Sequence, residues 1–162
     1  MVNEMFSKML SEKDAQIIAA LRDNARQSLT EISKKTGIPI TTVYERIKSY
    51  EGDLIKKHTC LLDFNKFSFG IRAFIALKAN KGQREELRRQ LEEDRCINSI
   101  YQVNSGYDFM IEGIFEDVKA MQHFIEDLEK KFGIQVKNTY HILEDIMREA
   151  FLANQNRLKG GN

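Results

Sequence analysis

The stretch that decides the fold is Ser28-Leu-Thr-Glu-Ile-Ser-Lys-Lys-Thr-Gly-Ile-Pro-Ile-Thr-Thr-Val-Tyr-Glu-Arg-Ile-Lys-Ser-Tyr50, which predicts two short helices. Ser28 and Glu31 have the spacing of a capping box, in which each side chain satisfies a free backbone N–H of the other. Gly37 can adopt the left-handed conformation that ends a helix, and Pro39 stops the first helix and can begin the second.

The second helix has two different faces. Four side chains recur at three- and four-residue spacing and predict one buried stripe: Ile40, Val43, Ile47 and Tyr50. The remaining surface is short, hydrogen-bonding and partly cationic, and carries Thr41, Thr42, Glu45, Arg46, Lys48 and Ser49. Such a face after a glycine turn is typical of a helix-turn-helix, whose second helix enters the DNA major groove.

The residues on either side of this stretch extend it into a small domain. Ser11 is a good N-cap, and Asp14 follows it in the first turn of a helix that ends near Asp23. Three helices are therefore expected before Gly52. The partly alternating run at residues 54–62 predicts a strand, either a wing beside the helices or a tether to the next domain.

The remainder of the chain predicts the order βαββαβ. Strands are expected at residues 70–79, 97–103, 108–115 and 136–143, and helices at 84–93 and 118–132. This order is that of the ferredoxin-like fold, an antiparallel sheet with both helices on one face. The chain is thus expected to be of the α+β class.

The first of these strands predicts a partner. Ala73, Ile75 and Leu77 alternate with Phe74 and Ala76, so both faces of the strand are largely apolar. Because the helices cover one face of the sheet, the other is expected to pack against a second copy. The alternative is a buried strand in a monomer.

An amphipathic helix is expected at residues 144–158, and disorder at 160–162.

Composition excludes several classes. The net charge of +1 is not that of a polycation. Cys60 and Cys96 give no disulfide framework or zinc spacing, and the three histidines have no metal-ligand spacing, so no metal is expected. Without a signal peptide or a long apolar run, we expect a cytoplasmic protein with no membrane partner.

The sequence resembles the Lrp/AsnC (feast/famine, leucine-responsive) transcriptional regulators over nearly its full length. The matching segments include Asp14-Ala-Gln-Ile-Ile-Ala-Ala-Leu-Arg-Asp-Asn-Ala-Arg26, Leu29-Thr-Glu-Ile-Ser-Lys-Lys-Thr-Gly-Ile-Pro39, Thr42-Val-Tyr-Glu-Arg-Ile-Lys48, Leu54-Ile-Lys-Lys-His-Thr59, Ala73-Phe-Ile-Ala-Leu-Lys78 and Ser105-Gly-Tyr-Asp108. The chain is one residue shorter than the usual family pattern after Tyr50 and at Gly106.

The resemblance implies a division of labour along the chain. A helix-turn-helix domain would occupy residues 1–53, a tether strand and linker 54–68, a ferredoxin-like (RAM) effector and dimerisation domain 69–143, and a C-terminal extension 144–162. It further implies binding to double-stranded DNA at a pseudo-palindromic operator, a homodimer with tetramers and octamers as higher assemblies, and no cofactor other than an amino-acid effector.

Two sets of site residues follow. We expect DNA contacts from Thr41, Thr42, Tyr44, Glu45, Arg46, Lys48 and Ser28, although Glu45 and Arg46 could instead only pair with neighbouring charges. We expect effector contacts from Ser105, Gly106, Tyr107 and Asp108, with Asp108 holding an ammonium group. The alternative for this second set is a plain hairpin with a glycine at positive φ.

Two other functions remain open. One is an architectural DNA-binding protein that has no effector. The other is an enzyme like the sirohaem decarboxylases, which share this organisation but carry an Arg-x-x-Gly motif followed by Asn and Trp. The chain contains no Trp, so the sequence favours a regulator that is not an enzyme.

Overall fold

The computed structural model describes residues 10–104 and 106–153, with the side chain of Lys137 excepted. The chain divides into two compact units. Among the described residues, the helical unit consists of 10–61 and 146–153, and the sheet unit of Leu62–Asp145. Within the described residues, no helix is long and apolar enough to cross a membrane.

The helical unit contains the three expected helices, α1 (Glu12–Asp23), α2 (Leu29–Thr36) and α3 (Ile40–Tyr50). Capping boxes begin α1 at Ser11 and α2 at Ser28, and Gly37 ends α2 in the left-handed conformation at φ 72°. The core is small and consists of Ile17, Ala20, Ile32, Ile38 and Val43. The helix-turn-helix prediction is therefore confirmed.

One prediction about the buried stripe of α3 is wrong. Ile40 is 44% exposed, whereas Val43 is fully buried. The reason is that Ile38, in the turn before α3, is only 3% exposed and fills the core position on that side. Ile40 begins the helix directly after Pro39 and is left at the surface.

The sheet unit has the predicted βαββαβ order. Its elements are a 3₁₀ turn (Phe64–Phe67), β1 (Ile71–Lys78), α4 (Arg84–Glu93), β2 (Ile97–Gln102), β3 (Phe109–Phe115), α5 (Val118–Phe132) and β4 (Gln135–His141). The strands lie in the order β2-β3-β1-β4, and every neighbouring pair is antiparallel. This is the ferredoxin-like arrangement.

The two faces of the sheet differ in how they are covered. Ala73, Ile75 and Leu77 of β1 are fully buried in one core with Leu87 of α4 and Phe132 of α5. The side chains that alternate with them lie on the opposite face. There, among the described residues, Tyr101 and Tyr140 remain about half exposed.

Two further predicted elements are wrong. Residues 54–62 form no strand, apart from a single bridge between Glu51 and Ile55, because the single chain offers them no neighbouring strand to pair with. Residues 144–153 form no helix. Glu149 and Leu152 have positive φ, and Ile146 is 92% exposed, so its side chain has no apolar surface to pack on. The predictions for 154–162 lie outside the described residues.

Candidate functional site

The exposed face of α3 follows directly from its buried one. Because Val43 is in the core and Ile47 and Tyr50 are half-buried, the opposite side of the helix faces outward. Exposed side chains on this side include Thr41, Tyr44, Glu45 and Lys48, and Thr42 is half-buried at its edge. The structure therefore brings together most of the residues expected to contact DNA.

Tyr44 and Lys48 form a pair on this face. The Lys48 ammonium lies 5.8 Å from the centroid of the Tyr44 ring, at i,i+4 spacing along the helix. A cation at this distance is attracted by the ring and is held on one side of the helix. Tyr44 thus gives Lys48 a defined position at the surface of α3.

Ser28 is at the start of α2, and its side chain is already occupied there. Its hydroxyl donates to Glu31 Oε2 at 2.9 Å and accepts from the Glu31 backbone N–H at 3.2 Å. The Ser28 backbone N–H donates to Glu31 Oε2 at 2.7 Å. These hydrogen bonds lower the pKa of Glu31. Ser28 is exposed, so the structure makes it a helix cap at the surface.

Arg46 is placed differently from the other residues of this set. Its Nε lies 3.7 Å from Oδ1 of Asp14 in α1, and Asp14 is only 6% exposed. The sequence analysis identified Asp14 only as a residue of the first helical turn. A signal was available, because Asp14 precedes the buried Ile17 and Ile18 by three and four residues and so shares their face.

Tyr50 completes this cluster. Burial raises the pKa of Tyr50 to about 12, and the Asp14 carboxylate adds to the effect. Burial also acts to raise the pKa of Asp14, but interactions with Tyr50, Ser11 and Arg46 outweigh it and lower that pKa. Asp14 is therefore a charged carboxylate beneath α3 near neutral pH.

The expected effector hairpin is only partly brought together. Ser105 lies outside the described residues, and Gly106 occupies the turn at φ 97°. The Tyr107 hydroxyl accepts a hydrogen bond from Asn138 Nδ2 of β4 at 3.2 Å. The hairpin is thus joined to β4, which the sequence analysis did not foresee.

Asp108 is already engaged by groups of the protein. Its Oδ2 accepts from the Ala79 backbone N–H at 3.0 Å and lies 3.3 Å from Lys78 Nζ, while its Oδ1 lies 3.8 Å from Arg84 Nε. Burial acts to raise the pKa of Asp108, but these three groups outweigh it and lower that pKa. An added ammonium group would have to compete with Lys78, whereas Arg84 and Lys78 together suit a carboxylate.

The open sheet face contains a buried ionic cluster that the sequence analysis missed. Glu112 of β3 is 4% exposed and accepts from Arg72 Nε at 2.6 Å, from Asn98 Nδ2 at 2.6 Å and from Ser99 Oγ at 2.8 Å. Arg72 also binds Asp145. Burial acts to raise the pKa of Glu112, and these hydrogen bonds reverse the effect and lower it.

Other kinds of site have little support within the described residues. No group of three histidine, cysteine, aspartate or glutamate side chains there could hold a metal ion. Cys60 is exposed and Cys96 is half-buried, and both are free thiols.

Comparison with known families covers both units. Residues 10–51 match the AsnC-type helix-turn-helix domain, and residues 72–150 match the Lrp/AsnC ligand binding domain. The chain is 28% identical over 143 residues to an uncharacterized HTH-type transcriptional regulator of Pyrococcus furiosus, which covers 88% of this chain and 96% of that protein. It is also 28% identical to the HTH-type transcriptional regulator FL11 of Pyrococcus horikoshii over 136 residues, 83% of this chain and 90% of that one.

Solved structures share the fold. A transcriptional regulator from Neisseria meningitidis, determined as a complex with L-Met, has a TM-score of 0.77 at 21% identity, over 86% of this chain and 94% of that one. LrpC of B. subtilis has a TM-score of 0.77 at 21% identity, over 85% of this chain and 97% of its own. At such identities these likenesses support the architecture of both units.

Proposed function

The chain belongs to the Lrp/AsnC family of transcriptional regulators, and we propose that it acts as a sequence-specific DNA-binding regulator in the form of a dimer or higher oligomer. The observation that carries the proposal is the exposed, polar face of α3 with Lys48 on it, held on a capped helix-turn-helix. A role on chromosomal DNA would place the protein in the cytoplasm.

In this proposal α3 enters the major groove. Thr41 and Thr42 would contact thymine methyl groups or phosphates, and Glu45 would accept a hydrogen bond from cytosine N4. Lys48, held beside Tyr44, would contact a phosphate. Ser28 would bring the N-terminus of α2 near the backbone, where free N–H groups favour an anion.

The dimer would form through the open face of the sheet. The half-exposed Tyr101 and Tyr140, together with Phe74 and Met110, give this face an apolar surface that a second copy would cover. Two helical units related by a twofold axis would then contact two half-sites. The operator would therefore be pseudo-palindromic.

The first test uses duplexes that the full-length protein enriches from a randomised library. We expect a pseudo-palindromic consensus and an affinity that falls steeply with salt. In the proposed dimer, which carries two Lys48 side chains, Lys48→Gln should reduce the slope of log K against log salt by about 1.8, that is about 0.9 for each phosphate contact. Lys130→Gln is the control, since Lys130 lies on α5 of the sheet unit beside Glu126. No enrichment, with no salt-sensitive binding to any duplex, would contradict the proposed function.

The effector is a separate part of the proposal. We propose that an amino acid binds at the hairpin, its carboxylate near Arg84 and Lys78 and its ammonium group near Asp108. Calorimetric titration with each common amino acid should give saturable heat with at least one, and Arg84→Gln should weaken it. If none gives heat although DNA binds, the architectural alternative without an effector is the better description.

A further inference from the structure

We propose that Asp14 and Arg46 form a positioning pair that fixes α3 against α1, and that Arg46 does not contact a phosphate. This inference rests on the proposed DNA-binding function. It changes the role that the sequence suggested for Arg46 and gives Asp14, a residue outside the helix-turn-helix stretch, a part in DNA recognition.

The first observation that supports the pair is the position of Arg46 on α3. Arg46 follows Val43 by three residues and precedes Tyr50 by four, so it borders the buried side of α3, and its side chain is 52% exposed. Lys48 and Glu45 lie on the opposite side of the helix. The Arg46 guanidinium therefore lies at the edge of the proposed DNA face, beside α1.

The second observation that supports the pair is the environment of the Asp14 carboxylate. Its Oδ2 accepts the Ser11 backbone N–H at 3.3 Å, while its buried Oδ1 makes no hydrogen bond of normal geometry to a described residue. Arg46 Nε, at 3.7 Å, is the cation that balances this oxygen. If Arg46 turned towards a phosphate, a buried carboxylate would lose its countercharge, which is strongly unfavourable.

Tyr50 lies one turn further along α3. Its hydroxyl is buried and makes no hydrogen bond of normal geometry to a described residue, and burial, followed by the Asp14 carboxylate, raises its pKa to about 12. The ion pair between Arg46 and Asp14 is therefore the contact on which the proposed link between α3 and α1 rests. Ser11 and Arg46 are the other polar groups that act on Asp14.

The pair is expected to affect the preference of the protein for its own DNA sequence more than its affinity for duplex DNA in general. Hydrogen bonds to base edges depend on the angle at which a helix enters the groove, while contacts to phosphates tolerate small changes. A pair that fixes α3 against α1 would therefore favour the correct sequence over other duplexes. Losing the pair would lower this preference and leave the number of phosphate contacts unchanged.

The experiment compares full-length Asp14→Asn, Arg46→Gln and the double variant on the enriched duplex and on an unrelated duplex of equal length. We expect each single variant to lose about tenfold in affinity for the enriched duplex. The double variant should lose little more, because the two residues act through one shared interaction and their effects are not additive. Affinity for the unrelated duplex and the salt slope should not change. Ser11→Ala is the control, because it weakens the same helix cap without touching Arg46.

The opposite result is equally clear. A salt slope reduced by about 1.8 in Arg46→Gln (about 0.9 for each of the two copies in the dimer), with Asp14→Asn neutral or tighter binding, would make Arg46 a phosphate contact and overturn the pair. Should Arg46→Gln fail to fold by circular dichroism, Tyr50→Phe tests the same carboxylate and is expected to reduce the same sequence preference.

The pair can also be tested without DNA. In the free protein, hydrogen-exchange protection of α3 in the single and double variants forms a double-mutant cycle. We expect the two changes to be strongly non-additive, and additive changes would overturn the pair even if the protein binds no DNA. Failure of the wild-type protein to bind any duplex would contradict the proposed function alone.

Discussion

Glu112→Ala is expected to lower the free energy of unfolding of the sheet unit by about 3–5 kcal/mol, as for removing one partner of a buried ion pair. Glu112 is 4% exposed and accepts hydrogen bonds from Arg72, Asn98 and Ser99. Without the carboxylate, these three donors lose their shared acceptor. Among the described residues, Arg72, whose side chain is 14% exposed, would keep only Asp145 as a charged partner.

The measurement is urea unfolding of the full chain at one protein concentration, since a dimer makes stability depend on concentration. Glu92→Ala is the control, because Glu92 forms an i,i+4 pair with Arg88 at the surface, where solvent screens the two charges. Replacing Arg72 and Glu112 together by methionine should recover most of the loss. Equal losses for Glu112→Ala and Glu92→Ala would contradict the prediction.

The cluster around Glu112 also predicts that the stability of the folded protein falls at acidic pH. The folded state lowers the pKa of Glu112 from its ordinary value of 4.5. A carboxyl group of this kind contributes stability that is fully present above its unfolded pKa and is lost as the pH falls through the folded value. The wild-type protein should therefore lose stability below about pH 4.5 more steeply than Glu112→Ala does.

The structural features that the sequence predicted correctly depend on residues that are close together in the chain. The capping boxes at Ser11 and Ser28 and the left-handed Gly37 are signals within a few residues of the helix ends that they set. Gly133, which is left-handed at φ 55°, ends α5 in the same way. Apolar periodicity then gave the order of the strands along the chain.

What the sequence did not predict depends on distant partners. In β3, Glu112 has the alternation expected of a solvent-facing residue, and its partner Arg72 is 40 positions away in the chain. The Asp14–Arg46 pair likewise joins two different helices. Residues 54–62 have strand propensity, but a strand also requires a neighbour, and the single chain supplies none. The predicted contacts to DNA and effector remain predictions.

Ile32→Ala is expected to unfold the helical unit selectively and to abolish DNA binding. Ile32 is fully buried in a small core whose other buried members, among the described residues, are Ile17, Ala20, Ile38 and Val43. Truncating a buried isoleucine costs about 2–5 kcal/mol. A core of this size has little stability in reserve, so this loss should leave the three helices largely unfolded.

Ile40→Ala is a matched control, because it is the same chemical change in the same unit at a side chain that is 44% exposed. Hydrogen exchange followed by mass spectrometry separates the two units: Ile32→Ala should remove protection from α1, α2 and α3 and leave β1 and β3 protected. Ile40→Ala should leave both units protected. Loss of protection throughout the chain in Ile32→Ala would contradict selective unfolding.

In Ile32→Ala, the loss of DNA binding through unfolding can be distinguished from the loss of a direct contact to DNA. Ile32 is buried and cannot touch DNA in the folded unit, so its effect on binding must act through folding. Sucrose or trimethylamine oxide, which favour the compact state, should therefore restore DNA binding of Ile32→Ala. They should not restore that of Lys48→Gln, whose helix is folded and whose lost charge no osmolyte replaces. Restoration of both variants, or of neither, would contradict this separation of roles.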